Sequence, residues 1–369
     1  MHYEEFEVIT AANGAPSLKF DLACATARNH YIRCTKTQDK QGNDNYNSPC
    51  STGLRVYGGA QVLAAFLARF GRDLLPHTAE HSTCGDANPW VVELGCGCGL
   101  VGFTATELFP EVSVMFTDAS VDCLNLVAAS ARRHGLPMIQ ADANNFTGNL
   151  GTHMHRAVVS CPLEWRKEDT IQLISLIEQL SKSLRCQKNG GVRMVLGSDL
   201  LYYRVDIKLL LTTCKCLLQY SGDAACSGKD GGSLAPRLAI LSHFMRIPDG
   251  YKKLQLAAYE LGFGIVRVPI EAFIDVNVIQ NRGWNGISIV MLFLRPFPHA
   301  DSHSLEVSKS HRQREEADLA EIKGIFSEAH LPFQSEVLAC YSKKSPGDAL
   351  DDGVYSANGC ELDTLPFRF

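Results

Sequence analysis

The sequence predicts an α/β fold: a seven-stranded, mostly parallel sheet with helices on both faces and an antiparallel pair of strands at its C-terminal end. Three observations predict it. Short apolar runs alternate with longer segments of helical spacing. One such run, 90–94, ends in glycines at alternate positions, Gly95, Gly97 and Gly99, and a helix start follows at Leu100. The last two apolar runs, 265–268 and 287–293, have no long helical segment between them, so they should close as an antiparallel pair.

Bulk composition sets limits. The chain has 369 residues, 46% hydrophobic and 20% charged, which describes a soluble globular protein of one large domain with extensions or of two modest domains. Thirty-five basic against 40 acidic residues give a net charge of −5. That balance argues against an electrostatic grip on nucleic acid or anionic membrane. No apolar run reaches the length of a membrane-spanning helix, and the start, Met1-His2-Tyr3-Glu4-Glu5, is acidic and lacks the apolar core of a signal peptide. Fourteen cysteines are scattered without a Cys-x-x-Cys pair, so no metal site is expected and free thiols in a reducing cytoplasm or nucleus are.

Three regions follow. Residues 1–52 form a β-rich extension, with strand-like runs at 5–10, 17–24 and 31–35 and a polar loop at 39–49. Residues 53–297 form the main domain. Val62, Leu63, Phe66, Leu67 and Phe70 mark its first helix. The glycine-linked helix runs to about Phe109, before Pro110, and a second strand spans 112–117 and leads to Asp118. A helix at 121–133, an ambiguous segment at 138–142 and a strand at 156–161 come next. Helix 170–184, strand 192–196, helix 205–220 and a Gly-rich loop at 221–233 continue the alternation. Strand 238–241, helix 249–261 and the final strand pair complete it. Residues 298–369 form a C-terminal extension, with a helix expected at 305–329 and a loose tail from 341.

The strand–glycine turn–helix unit is the opening of a Rossmann-like sheet. Its backbone N–H groups meet a ligand beside the first turn of a helix. Two ligand classes suit it. Gly97-x-Gly99-x-x-Gly102 satisfies a dinucleotide pattern. Glu93 favours S-adenosylmethionine (SAM) instead, because a carboxylate there repels a pyrophosphate but pairs with an α-ammonium group. Asp118, ending the neighbouring strand, stands where a ribose diol is held. Asp118 and Asp199 are also both placed to cap helices, Asp199 for the helix after residue 202.

Further landmarks follow in order: Gly53-Leu54-Arg55-Val56-Tyr57 before a helix, Glu93-Leu94-Gly95-x-Gly97-x-Gly99-Leu100-Val101-Gly102, Thr117-Asp118, Leu163-Glu164-Trp165 after a strand, and Gly197-Ser198-Asp199-x-x-Tyr202 after another. With these the chain resembles the seven-β-strand, SAM-dependent methyltransferases of the family 16 protein-lysine group, over about 53–295. The resemblance implies that Gly95, Cys96 and Gly97 line the methionine portion of SAM, with Gly99 completing the turn. It implies that Asp118 holds the ribose, and that Trp165 with Leu163 lies at the adenine, ahead of Asp142. Ser198 would sit over the cofactor. Tyr57 stands where the family more often has Trp. Asp199 and Tyr202 would be the catalytic pair, shaping the mouth that admits the substrate lysine, with Tyr57 or Tyr203 lining the channel. A monomeric enzyme acting on a lysine-containing protein, such as a chaperone or translation factor, is the implied partner arrangement, with no nucleic acid and no membrane. A small molecule, another protein side chain or RNA (against which the acidic balance argues) as methyl acceptor, or a non-catalytic or NAD-binding module, are the alternatives.

Overall fold

A computed structural model describes residues 1–9, 18–25, 52–75, 87–141, 156–184, 188–202, 205–221, 237–244 and 249–294. The expected strand at 31–35, the loop at 39–49, the helix at 305–329 and the tail from 341 lie outside the described residues, as do Asp142, Tyr203 and 222–233.

The chain opens with an antiparallel hairpin, β1 (His2–Val8) and β2 (Leu18–Cys24), with Phe6 opposite Phe20. Exposed and half-buried residues alternate along β1, the period of a strand with one face on the protein. Helix α1 (Gly58–Leu74) follows. Strand β3 (Ala87–Leu94), helix α2 (Leu100–Leu108), strand β4 (Ser113–Asp118) and helix α3 (Val121–Arg133) form the first half of the main unit. The hairpin docks on α3: the Ala23 N–H donates to Ser130 Oγ at 2.8 Å, and the Asp21 N–H to His134 Nε2 at 3.2 Å.

The ambiguous segment after α3 contains a two-residue strand, β5 (Ile139–Gln140), which extends the sheet at its edge. Then come β6 (Val158–Pro162), α4 (Lys167–Ser183), β7 (Lys188–Ser198), α5 (Ile207–Gln219) and β8 (Leu238–Phe244). Helix α6 (Gly250–Glu260), strand β9 (Phe263–Pro269), the short helix α7 (Val276–Arg282) and strand β10 (Ile287–Leu294) close the described part. The sheet order is β5-β6-β4-β3-β7-β8-β10-β9. Pairings from β5 to β8 are parallel, and β10 runs antiparallel between β8 and β9. The expected α/β class and antiparallel closing pair are both present, with β5 as an eighth, minimal strand.

Alternation along each strand divides the core in two. Val91, Val114, Phe116, Leu196, Ile240 and Ile289 face one layer, where Phe66 and Phe70 of α1, Val101 of α2 and Val127 of α3 cover them. Val92, Met115, Val195, Leu241 and Val290 face the other, under Leu173 and Ile177 of α4, Leu217 of α5 and Leu254 of α6. Each fully buried Phe or Leu in these layers contributes about 2–3 kcal/mol of transfer free energy. A parallel sheet covered on both faces leaves its carboxyl edge as the place where ligands reach the backbone.

Candidate active site

The carboxyl ends of β3, β4 and β6 are tied by hydrogen bonds. Thr117 Oγ1 donates to the Glu93 carbonyl at 2.7 Å, the Cys96 N–H to the Thr117 carbonyl at 2.9 Å, and the Leu163 N–H to the Asp118 carbonyl at 3.1 Å. This lattice fixes where the side chains leaving the three strands stand.

The glycine turn runs from Gly95 to Gly99, with φ of +56°, +53° and +83° at Gly95, Gly97 and Gly99. Its tightest bond joins the Gly99 N–H to the Cys96 carbonyl at 2.7 Å. Two positions require glycine for stated reasons. At Gly97 a Cβ would lie 2.8 Å from the Gly53 carbonyl oxygen, so the chain entering α1 lies backbone to backbone on the turn. At Gly102 a Cβ would meet Phe116 Cε1 at 2.3 Å and Glu93 Oε2 at 2.6 Å. The Cys96 side chain is buried, and burial pushes its thiol well above the usual range.

Glu93 is buried at 1% exposure. Its Oε2 accepts from the Gly102 N–H at 2.9 Å, so the carboxylate satisfies an open donor at the N-terminus of α2. Oε1 is buried with no hydrogen-bond partner among the described residues. Burial drives the Glu93 carboxyl well above the ordinary range, the Gly102 N–H opposes this, and the charge of Asp118 adds to the rise.

Asp118 is half-buried at the end of β4. Oδ2 accepts from the Gly97 N–H at 3.0 Å and Oδ1 from the Ser120 N–H at 2.8 Å. Burial raises its pKa against the pull of those two N–H groups. A carboxylate has about four lone-pair sites. With the Cys123 thiol also donating to it, one remains for a further donor.

Trp165, partly buried on the α4–α6 side of the core, lies 3.8 Å from where a Gly95 Cβ would stand, so its ring edges the turn. Leu163 is 3% exposed and belongs to the core beneath it. Leu200 Cδ2 stands 2.6 Å from the same Gly95 Cβ position, and that close approach is not announced by any motif.

A second corner is built around β7. Ser198, half-buried, pairs in register with Ser242 of β8. Asp199 follows at φ +53°, a left-handed conformation unusual for a residue with a side chain. Its N–H donates to the Ser242 carbonyl at 3.1 Å, and its Oδ2 accepts from the Gly59 N–H at 3.3 Å. Asp199 thus sits at the N-terminus of α1, where a Cβ on Gly59 would strike its carboxylate at 2.6 Å. The helix after residue 202 takes its cap from Asp206, whose side chain accepts from the Lys208 and Leu209 N–H groups. Tyr57 holds the N-cap position of α1, its carbonyl accepting from the Ala60 and Gln61 N–H groups. Tyr202 is 41% exposed, and burial of the rest, followed by the Asp118 charge, raises its phenol.

Sequence reasoning missed Trp284. The residue is 4% exposed and packs on Gly58, 3.0 Å from where a Cβ would be, with the Arg282 guanidinium 5.7 Å above its ring. The aromatic residue between two glycine turns was the available signal.

The donor set fits SAM: a turn of glycines for close backbone approach, one carboxylate with spare acceptor capacity, one buried carboxylate oxygen without a partner, and an aromatic edge beside the turn. No group of three or more potential metal ligands exists among the described residues. No described helix is long and apolar enough to cross a membrane.

A family model described as lysine methyltransferase matches residues 42–231. A ribosomal RNA large subunit methyltransferase G from Shewanella woodyi is 25% identical over 173 residues, covering 44% of this chain and 39% of that protein. Its counterpart from Shewanella baltica is 29% identical over 129 residues, covering 34% and 33%. The matches therefore span well under half the length of these relatives. A ribosomal protein L11 methylase structure from Lactobacillus delbrueckii subsp. bulgaricus is 13% identical, with 66% of this chain and 81% of that one covered at a TM-score of 0.34. With half of its length matched by the family model, the chain belongs to the lysine methyltransferase family.

Proposed function

We propose that this enzyme transfers the methyl group to the amine of a lysine side chain in a protein substrate. One observation carries the reading: the glycine turn with Asp118 and the Asp199–Tyr202 corner share one sheet edge, close enough for the Asp118 charge to act on the Tyr202 phenol.

SAM supplies a methyl group already activated on a sulfonium, so the protein's task is alignment and deprotonation of the acceptor. Asp118 offers its remaining acceptor capacity to the ribose hydroxyls. Gly95, Cys96, Gly97 and Gly99 present backbone to the methionine portion, and Glu93 Oε1 stands ready for a donor from that side. Trp165 lies along the adenine, over a floor that includes Leu163. Ser198 and Tyr57 line the passage between the turn and the Asp199 corner. A lysine amine, with an ordinary pKa of about 10.4, must lose its proton before it attacks. Asp199 and Tyr202 orient that amine and take up its hydrogen bonds, and desolvation in the passage lowers its pKa. Tyr57 adds an aromatic wall that holds a partly methylated ammonium.

The test uses SAM labelled in its methyl group and a lysate from cells lacking this enzyme. The expected result is one labelled protein whose acid hydrolysate contains methyl-lysine. The relatives named ribosomal RNA methyltransferases favour a second reading, methylation of RNA. Label that resists protease and is released by ribonuclease establishes that reading and removes the first.

A further inference from the structure

We propose that Cys24 and Cys98 form a reversible disulfide that ties the N-terminal hairpin to the cofactor turn and weakens SAM binding when the cell is oxidised. The two sulfur atoms lie 3.8 Å apart. Cys24 ends β2, and Cys98 lies between the left-handed Gly97 and Gly99. Both thiols are free, and both are buried in a small cluster of their own with Ala23, Leu54, Cys123, Leu126 and Ala129. Cys98 Sγ also reaches the Gly53 carbonyl at 3.4 Å, which is the carbonyl packed on Gly97.

The two sulfurs share a hydrogen bond whose donor can be either thiol, and burial opposes the ionisation of both. We take Cys24 as the nucleophile, and the same disulfide forms if Cys98 attacks first. A hydroperoxide is the oxidant. The Cys24 thiolate attacks one peroxide oxygen, the O–O bond breaks, and the departing hydroxide takes a proton to leave as water, with Cys24 now a sulfenic acid. The Cys98 sulfur gives up its proton, attacks the sulfenic sulfur, and expels the hydroxyl as a second water. Each sulfur loses one electron, and the two electrons reduce the peroxide.

A disulfide bond is about 2.05 Å, so the sulfurs must close by about 1.8 Å. β2 is held on α3 by the Ala23–Ser130 bond, so closing the sulfurs pulls on the turn. The turn carries the Gly97 N–H that Asp118 accepts. Shifting it displaces the surface offered to the cofactor.

The effect on affinity rests on the reading of this turn as the SAM site, but the cross-link itself does not. The full chain is treated with hydrogen peroxide, quenched with N-ethylmaleimide and mapped by non-reducing peptide mass spectrometry, while SAM affinity is followed by calorimetry. The expected result is a Cys24–Cys98 cross-linked peptide and an affinity loss of about tenfold, both reversed by dithiothreitol. Cys24→Ser should bind SAM as the reduced wild type does, before and after peroxide. Pairing of either cysteine elsewhere, no cross-link, or the same affinity loss in Cys24→Ser overturns the proposal. A cross-link without any change in affinity overturns the switch. If the reduced chain binds no SAM, the reading of the turn fails, while the peptide map still decides the cross-link.

Discussion

The two corners of the sheet edge solve the same backbone problem in opposite ways. In the glycine turn, every left-handed position is a glycine, because other atoms press on it: the Gly53 backbone on Gly97, Leu200 on Gly95. At the start of the second corner the left-handed position is an aspartate, Asp199. There the side chain is needed, because its carboxylate accepts the Gly59 N–H at the head of α1. A strained backbone is kept where a functional group must be presented, and relieved where only close approach is required.

The sharpest way to break this comparison is Gly97→Ala. The new methyl would stand 2.8 Å from the Gly53 carbonyl on a backbone at φ +53°, costing about 1–3 kcal/mol of stability and eliminating measurable SAM binding. Thermal denaturation with calorimetry checks both, and unchanged affinity would mean the turn is only a packing device.

Next in size is Asp199. Asp199→Ala should lower turnover by about 100-fold or more while SAM affinity stays within a few-fold. Asp199→Gly removes the same carboxylate but also the left-handed strain, so it should be more stable than the alanine variant by about 1 kcal/mol and equally inactive. Equal stability of the two variants would refute the strain argument, and surviving turnover would refute the catalytic one.

Asp118→Ala, on the turn side, should weaken SAM binding by about 10- to 100-fold, the worth of hydrogen bonds to a charged acceptor.

Much of this was legible in the sequence. The short apolar runs at 90–94 and 112–117, set against the helical spacing of Val62, Phe66 and Phe70, give the sheet and its covering helices. Gly95, Gly97, Gly99 and Asp118 could be placed together because a strand, its turn and the end of the adjacent strand are fixed by local connection. The partner of Asp199 could not, because Gly59 is 140 residues away and only the packing of α1 across the sheet brings it near. Glu93 was legible as an acidic residue at the turn, but that it would turn inward to the Gly102 N–H depends on Phe116 and Gly102 leaving space for it. The contact of Cys24 with Cys98 and the seat of Trp284 on Gly58 are also long-range and leave no periodic signature.

The smallest effect concerns pH. Glu93 and Asp118 titrate above their ordinary values of 4.5 and 3.8 in the folded chain. The folded state therefore keeps protons that the unfolded state releases. Stability from these groups is fully present below those ordinary values and is lost as pH rises towards the raised folded values. Glu93→Gln should flatten that decline in a series of melting temperatures against pH, and an unaltered slope would mean Glu93 is ionised throughout.

The most direct measurement is a calorimetric titration of the full chain with SAM, run beside Asp118→Ala and with NAD as a control ligand. The account predicts one saturable SAM site, a loss of about 10- to 100-fold in the variant, and no heat from NAD. SAM binding that is indifferent to Asp118 would contradict it.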